Sequence, residues 1–214
     1  SSRGAAATGP PASAPAAGAP AAAAASVDSR DETAAESAPR LGPRVERNAI
    51  TDCRVGILCT GAGSLQPSVR TNSVTGCALA CVELARGSRA LVERNDASSS
   101  KMAGVLVRDG AAPVVRHNSV RGCKQAGIEV TDAGRPLVRA NLVEGHGGAG
   151  VVLRGDGTWA MVAENRVANN RCAGIDVRDA AAARIVGNDI VEGRVAGIEV
   201  GAGCSRVLVL RNTI

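Results

Sequence analysis

From Val45 onward the chain arranges its apolar and polar residues in columns that return every 23 or 24 positions. The register mark is an asparagine, at Asn48, Asn72, Asn95, Asn118, Asn141, Asn165, Asn188 and Asn212. Three residues before each of these stands Val45, Val69, Val92, Val115, Val138, Val162, Ile185 or Val209. Two residues after stands Ile50, Val74, Ala97, Val120, Val143, Val167, Ile190 or Ile214. Later in each repeat a small residue precedes Ile or Val, as in Gly56-Ile57, Cys81-Val82, Gly104-Val105, Gly127-Ile128, Gly150-Val151, Gly174-Ile175 and Gly197-Ile198. In "GIEV" and "GIDV" the apolar side chains point one way and the acid the other, the alternation of a strand. Three short strands with a bend after each fill the period and leave no room for a useful helix. A leucine-rich repeat would carry a Leu-x-x-Leu-x-Leu frame, which is absent.

The pattern predicts an all-β fold, a single-stranded right-handed parallel β-helix of about seven coils over residues 41–214. Its hand follows from strand twist and crossover preference, and its length is about 34 Å. Within it the eight asparagines are expected to stack at a bend as a structural ladder, each amide bonding its neighbours and the turn backbone. The Gly before Ile is expected to give a positive φ or a tight corner. Cys53, Cys77, Ser100, Cys123, His146 and Asn170 share a column five residues after the Asn and read as a small inward stack. Parallel side-chain directions make a Cys53–Cys77 disulfide geometrically poor. No His or Asp joins the cysteines to complete a zinc set, so neither metal nor cofactor is expected.

Composition changes the picture at the N-terminus first. Residues 1–40 are low-complexity Ala, Pro, Ser and Gly without apolar period and are expected to be a disordered linker. The chain opens without Met and stops at "RNTI", the start of another repeat. The β-helix is therefore expected to be truncated at both ends, with open coils that self-associate. Formal charge is +5, and the only lysines are Lys101 and Lys124. No basic cluster is interleaved with aromatics, so no nucleic-acid partner is expected. No apolar run reaches the roughly 20 residues of a membrane span. There is no signal-peptide pattern, no Asn-x-Ser/Thr site and no CxxC among seven Cys. Together these give an expected cytoplasmic or nuclear location.

Chemistry is sought on the outward columns. The residue between Ile and Val runs Leu58, Glu83, Leu106, Glu129, Val152, Asp176 and Glu199. Asp176 and Glu199 should lie on adjacent coils about 5 Å apart, near enough to raise one pKa and at the separation of a retaining glycosidase. Two positions on lie Arg108, Thr131, Arg154 and Arg178. One reading is an acidic strip with arginines gripping a polar or anionic ligand; the plainer one is a solvated face of ion pairs. "GHG" at 145–147 resembles a polygalacturonase motif but lacks the Asp-Asp pair one coil earlier. "RGD" at 154–156 is explained by turn propensity. Trp159 is the single aromatic residue, which argues against a sugar-cleaving cleft lined with rings.

The recurring phrase P-x-V-R-x-N-x-V followed by G-I-x-V, as in "APVVRHNSV", "RPLVRANLV" and "QPSVRTNSV", resembles the right-handed β-helix superfamily of carbohydrate-binding and sugar-hydrolase repeats. Within it the phrase looks most like the F-box-only proteins with a β-helix substrate-binding region. That resemblance implies a substrate-recognition arm of a ubiquitin ligase, although no F-box is present in the chain. The expected function is accordingly a non-catalytic module with a protein partner. Its contact face would be Glu129, Asp176 and Glu199 with Arg108, Arg154 and Arg178. The alternative is a carbohydrate-active β-helix enzyme, a lyase, hydrolase or epimerase acting on a polysaccharide.

Overall fold

The computed structural model describes residues 41–63 and 65–214, without the side chain of Leu41. The linker expected over 1–40 lies outside the described residues. Each coil contributes one strand to each of three parallel sheets. Sheet A has eight strands, from Leu41–Glu46 to Val207–Leu210; sheet B has seven, from Ala49–Thr51 to Asp189–Val191; sheet C has seven, from Val55–Thr60 to Ile198–Val200. Every strand pairs with the one a coil away, so Val115 faces Val92 on one side and Val138 on the other. No described residue lies in a helix. The β-helix of about seven coils is what the period implies.

All three bends in each coil use left-handed backbone, the third at residues such as Arg86, Asp109, Asp132 and Asp179; the first two do so at fixed positions. The residue before each ladder asparagine takes φ between 52° and 65°, at Arg47, Thr71, Arg94, His117, Ala140, Glu164, Gly187 and Arg211. The residue four after the Asn does the same, at Asp52, Gly76, Ser99, Gly122, Gly145, Asn169 and Glu192, with φ between 55° and 74°. A residue other than glycine costs roughly 1–2 kcal/mol there. At the first two bends the side chain that follows turns inward, and the asparagines, Ser100, His146 and Asn170 offset that cost by bonding a neighbouring coil.

At the first bend the Asn118 N–H donates to Asn141 Oδ1 at 2.9 Å. Asn118 Nδ2 donates to the same oxygen and to Val92 O, both at 3.0 Å. The chain of amide bonds runs from Asn48 to Asn212. At the second bend Cys77, Ser100, Cys123, His146 and Asn170 are all buried. There the Cys123 N–H donates to His146 Nδ1, and the His146 N–H to Asn170 Oδ1, each at 3.1 Å. Burial holds the His146 imidazole down at about 4, so it is neutral at ordinary pH. The "GHG" histidine belongs to the interior. All seven cysteines are free.

Of the two reasons expected for the glycine before Ile, a positive φ is not the one. None of Gly56, Gly104, Gly127, Gly150, Gly174 and Gly197 has positive φ. What they require is space. A Cβ at Gly127 would stand 2.5 Å from Val143 Cγ1, 2.5 Å from His146 Nε2 and 2.7 Å from Gly150 O, all on the next coil. Cys81 fills this slot where the following coil supplies Ala97 in place of Val. Removing methyl groups from one coil admits a larger side chain on its neighbour, as close packing demands.

Candidate functional site

Sheet C carries the polar column between its inward Ile and Val residues. Its register sets Leu106 beside Glu129, Glu129 beside Val152, Val152 beside Asp176, and Asp176 beside Glu199. The expected open strip is instead a walled trough. Ala80, Ala103 and Leu106 pack along one stretch of it and Ala126, Ala149, Val152 and Ala173 along the next, and the arginines two positions on form the other side. Glu83 and Glu129 are therefore buried, at 3% and 8% exposure.

A buried carboxylate needs a partner, and here the arginine comes from one coil further on. Arg108 brings Nε and Nη2 to Glu83 Oε1 at 2.7 and 2.6 Å. Arg154 does the same to Glu129 Oε1 at 2.8 and 2.7 Å. Arg154 is thus occupied, which removes the "RGD" tripeptide as a free recognition element. The next arginine in the column, Arg178, has apolar Val152 in the place of the acid. It turns to Asp176 on its own coil and reaches Oδ2 only at 3.5 Å, longer than the ~2.8 Å of a charge-assisted hydrogen bond.

Asp176 therefore differs from the glutamates. Burial raises the pKa of its carboxyl from the ordinary value; Arg178 pulls it back in part, while Glu199 and Asp179 push it further up. Its groove has a volume of about 240 Å³ and is lined by Lys124, Gln125, Glu129, Gly148, Asp176 and Arg178 among others. Of the six residues expected to form a contact face, Glu129, Asp176 and Arg178 share this groove. Arg154 joins it through Glu129. Glu199 is exposed one coil beyond Asp176, and Arg108 is engaged with Glu83 further along the rod. Sequence reasoning missed Lys124 and Gln125, which lie on the bend from sheet B into sheet C. Their only signal was their place directly after the inward Cys123. No group of three or more metal-ligating side chains gathers among the described residues.

The profile of the right handed beta helix region matches residues 55–214. The chain belongs to this family of right-handed β-helices. Among solved structures, the β-helix resembles a variant of the periplasmic alginate epimerase AlgG. The TM-score is 0.72 at 16% identity, covering 79% of this chain and 44% of that one. It also resembles the A-module of the Azotobacter vinelandii mannuronan C-5 epimerase AlgE4. There the TM-score is 0.64 at 10% identity, covering 81% of this chain and 55% of that one. The chain spans about half the length of these neighbours. At such identities they establish a shared fold. No curated protein sequence matches significantly.

Two expectations are corrected by these comparisons. The adaptor reading rested on the Pro-x-Val…Asn and Gly-Ile phrase, and the F-box-only resemblance it implied is not shown. The family matched is the general β-helix one, and the solved neighbours are carbohydrate epimerases. The phrase misled because its residues are those the ladder and the close coil contact require in any β-helix. The cytoplasmic or nuclear location is overturned as well, since AlgG is periplasmic. Free cysteines were a poor guide to compartment. Cys59, Cys77, Cys81 and Cys123 are buried and pack as small apolar residues whatever the redox surroundings.

Proposed function

We propose that this β-helix carries the sugar-handling face of a polysaccharide-active enzyme that works at C-5 of a uronate polymer. The observation that carries the reading is Asp176, a carboxyl with raised pKa in a groove whose own arginine does not close on it. The likeness in fold to alginate and mannuronan epimerases supports the same class. A periplasmic or other extracytoplasmic place of action goes with such a substrate.

The hydrogen on C-5 of a uronate is acidified by the adjacent carboxylate once that carboxylate's charge is neutralised. Arg178 and Lys124 are the cations of the groove and take that role. Asp176, as carboxylate, removes the C-5 proton, and the C–H electron pair passes into the C-5/C-6 enolate. A proton from solvent water delivered to the opposite face inverts C-5, and Asp176 passes its own proton to solvent; expulsion of the O-4 substituent, which leaves with the proton Asp176 holds, instead gives an unsaturated sugar and a shorter chain. A raised pKa suits the base, because a carboxylate nearer the working pH removes a proton more readily. A positioned base contributes about 10²–10⁴-fold.

The test is to incubate the chain with polymannuronate, polyguluronate and polygalacturonate. NMR reads inversion and ultraviolet absorbance reads unsaturated ends. Conversion of at least one polymer, lost in Asp176→Asn at an unchanged melting temperature, is the expected result. Absence of both products on all three polymers overturns the reading.

A further inference from the structure

Away from the groove, at the bend that leads from sheet C into sheet A, lies a wider cavity of about 490 Å³. Its lining includes Arg135, Asp156, Trp159, Ala182, Ser205 and Arg206. Trp159 is the only aromatic residue of the chain, yet 44% of it is exposed. An indole this open does little for the core, which is built of Val, Ile, Leu, Ala and Cys.

Register explains how the indole comes to lie open. Leu137 pairs with Met161, which puts Arg135 opposite Trp159 on the coil before. Trp159 pairs with Ala182 on the coil after, and the pairing of Ala183 with Val207 puts Arg206 opposite Ala182. The column therefore reads Arg135, Trp159, Ala182, Arg206 over successive coils, with about 14 Å from first to last. Ala182 is too small to cover the ring, and Gly157 and Gly203 in the neighbouring turns add no side chain. The Trp159 N–H bonds Gly134 O at 3.0 Å, which fixes the strand start beneath the ring.

The two arginines of the cavity, like Arg86 and Arg184 elsewhere, differ from the arginines that pair with acids along the rod. Arg108, Arg121, Arg139, Arg154 and Arg166 are each held by a carboxylate. Among the described residues Arg135 and Arg206 have no such partner. Asp156 is the one acid of the lining; its Oδ1 accepts the Gly157 N–H at 2.8 Å.

We infer that this cavity binds an acidic oligosaccharide. The apolar face of a sugar ring lies on the Trp159 indole, carboxylates meet Arg135 and Arg206, and Asp156 accepts hydroxyl protons. Aromatic faces flanked by a few convergent polar groups are what such ligands need. Lying around the corner from the Asp176 groove, the site anchors polymer without touching the reacting atoms. The ligand class rests on the proposed function; the existence of the site rests on its own column of residues.

Because Trp159 is the sole fluorophore of its kind, its emission reports the site directly. The experiment is titration of the full chain with a defined uronate hexasaccharide and with a neutral hexasaccharide of equal length. C-5 turnover is measured on the same samples. Saturable change with the uronate alone, weakened about tenfold in the Arg135→Gln, Arg206→Gln double variant at an unchanged melting temperature, is expected. The Trp159→Ala variant should raise KM for long polymer and leave kcat unaltered. Turnover without any emission change overturns this site and leaves the proposed function standing. Emission change without turnover upholds the site and overturns the proposed function. Equal response to the neutral sugar, or an undiminished response in the double variant, overturns the acidic-ligand assignment.

Discussion

Glu129 and Asp176 occupy one column of sheet C, two coils apart, with Val152 between them. Glu129 is sealed: Arg154 places two nitrogens on one of its oxygens at 2.8 and 2.7 Å. Asp176 has a shorter side chain, and its arginine stands 3.5 Å away. A carboxylate held by two arginine nitrogens holds the rod together and has little left to offer a ligand. One that is half-buried without such pairing costs stability and is available for chemistry. The difference comes from a single apolar residue. Val152 leaves Arg178 without an acid on the preceding coil, and so turns a repeated ion pair into a site.

The largest effect expected from breaking this contrast is on turnover. Asp176→Asn should lower kcat by about 10²–10⁴-fold, while Glu129→Gln should keep it within about tenfold. The two variants should part again in stability. The folded state raises the pKa of Asp176, so its charged form is disfavoured; the cost grows as pH rises from the unfolded pKa through the folded one and is complete above it. Asp176→Asn should therefore leave the melting temperature at pH 7 unchanged or slightly higher.

Arg154→Ala leaves Glu129 buried and unpartnered and should cost about 1–3 kcal/mol in denaturant unfolding. Arg178→Ala, which breaks a longer and more exposed contact, should cost under about 1 kcal/mol and raise KM for a uronate polymer. An equal stability loss in the two arginine variants would erase the distinction between sealed and open pairs.

The smallest effect is on pH dependence. A general base works above its pKa, so the acid limb of kcat/KM follows Asp176. Glu199 and Asp179 raise that pKa and Arg178 lowers it. Glu199→Gln should move the acid limb to lower pH, and Arg178→Gln should move it to higher pH, each by up to about one unit. Shifts of the opposite sign would assign the limb to another group.

The fold could be read from the sequence because its requirements recur in every coil. The Asn ladder, the alternating strands and the inward column each repeat often enough to separate from chance. The glycine before Ile was legible as a position and not as a reason. Its need for space shows only when Gly127 is set against Val143 and His146 of the next coil. The coincidence of Cys81 with Ala97 was the written clue.

The site was half legible. Glu129, Asp176, Glu199 and the arginines were picked out by column. Which acid is sealed depends on whether an arginine lies one coil later, a relation between residues 25 positions apart, as in Glu129 and Arg154. Lys124 and the Arg135–Trp159–Ala182–Arg206 column lie at bends, where no alternation marks direction. Function was misread because the residues most visible in the repeat are architectural, and architecture is shared by β-helices of every activity.

The most direct measurement is deuterium incorporation at C-5 when uronate polymer is incubated with the chain in heavy water, wild type beside Asp176→Asn. Abstraction of the C-5 proton is common to inversion and elimination: return of a deuteron labels C-5, and elimination leaves a C-4/C-5 double bond read by ultraviolet absorbance on the same samples. The wild type is expected to give deuterium at C-5 or unsaturated ends, and Asp176→Asn neither above background. The same rate of either product in both proteins, or neither product with the wild type, would contradict the proposed proton transfer.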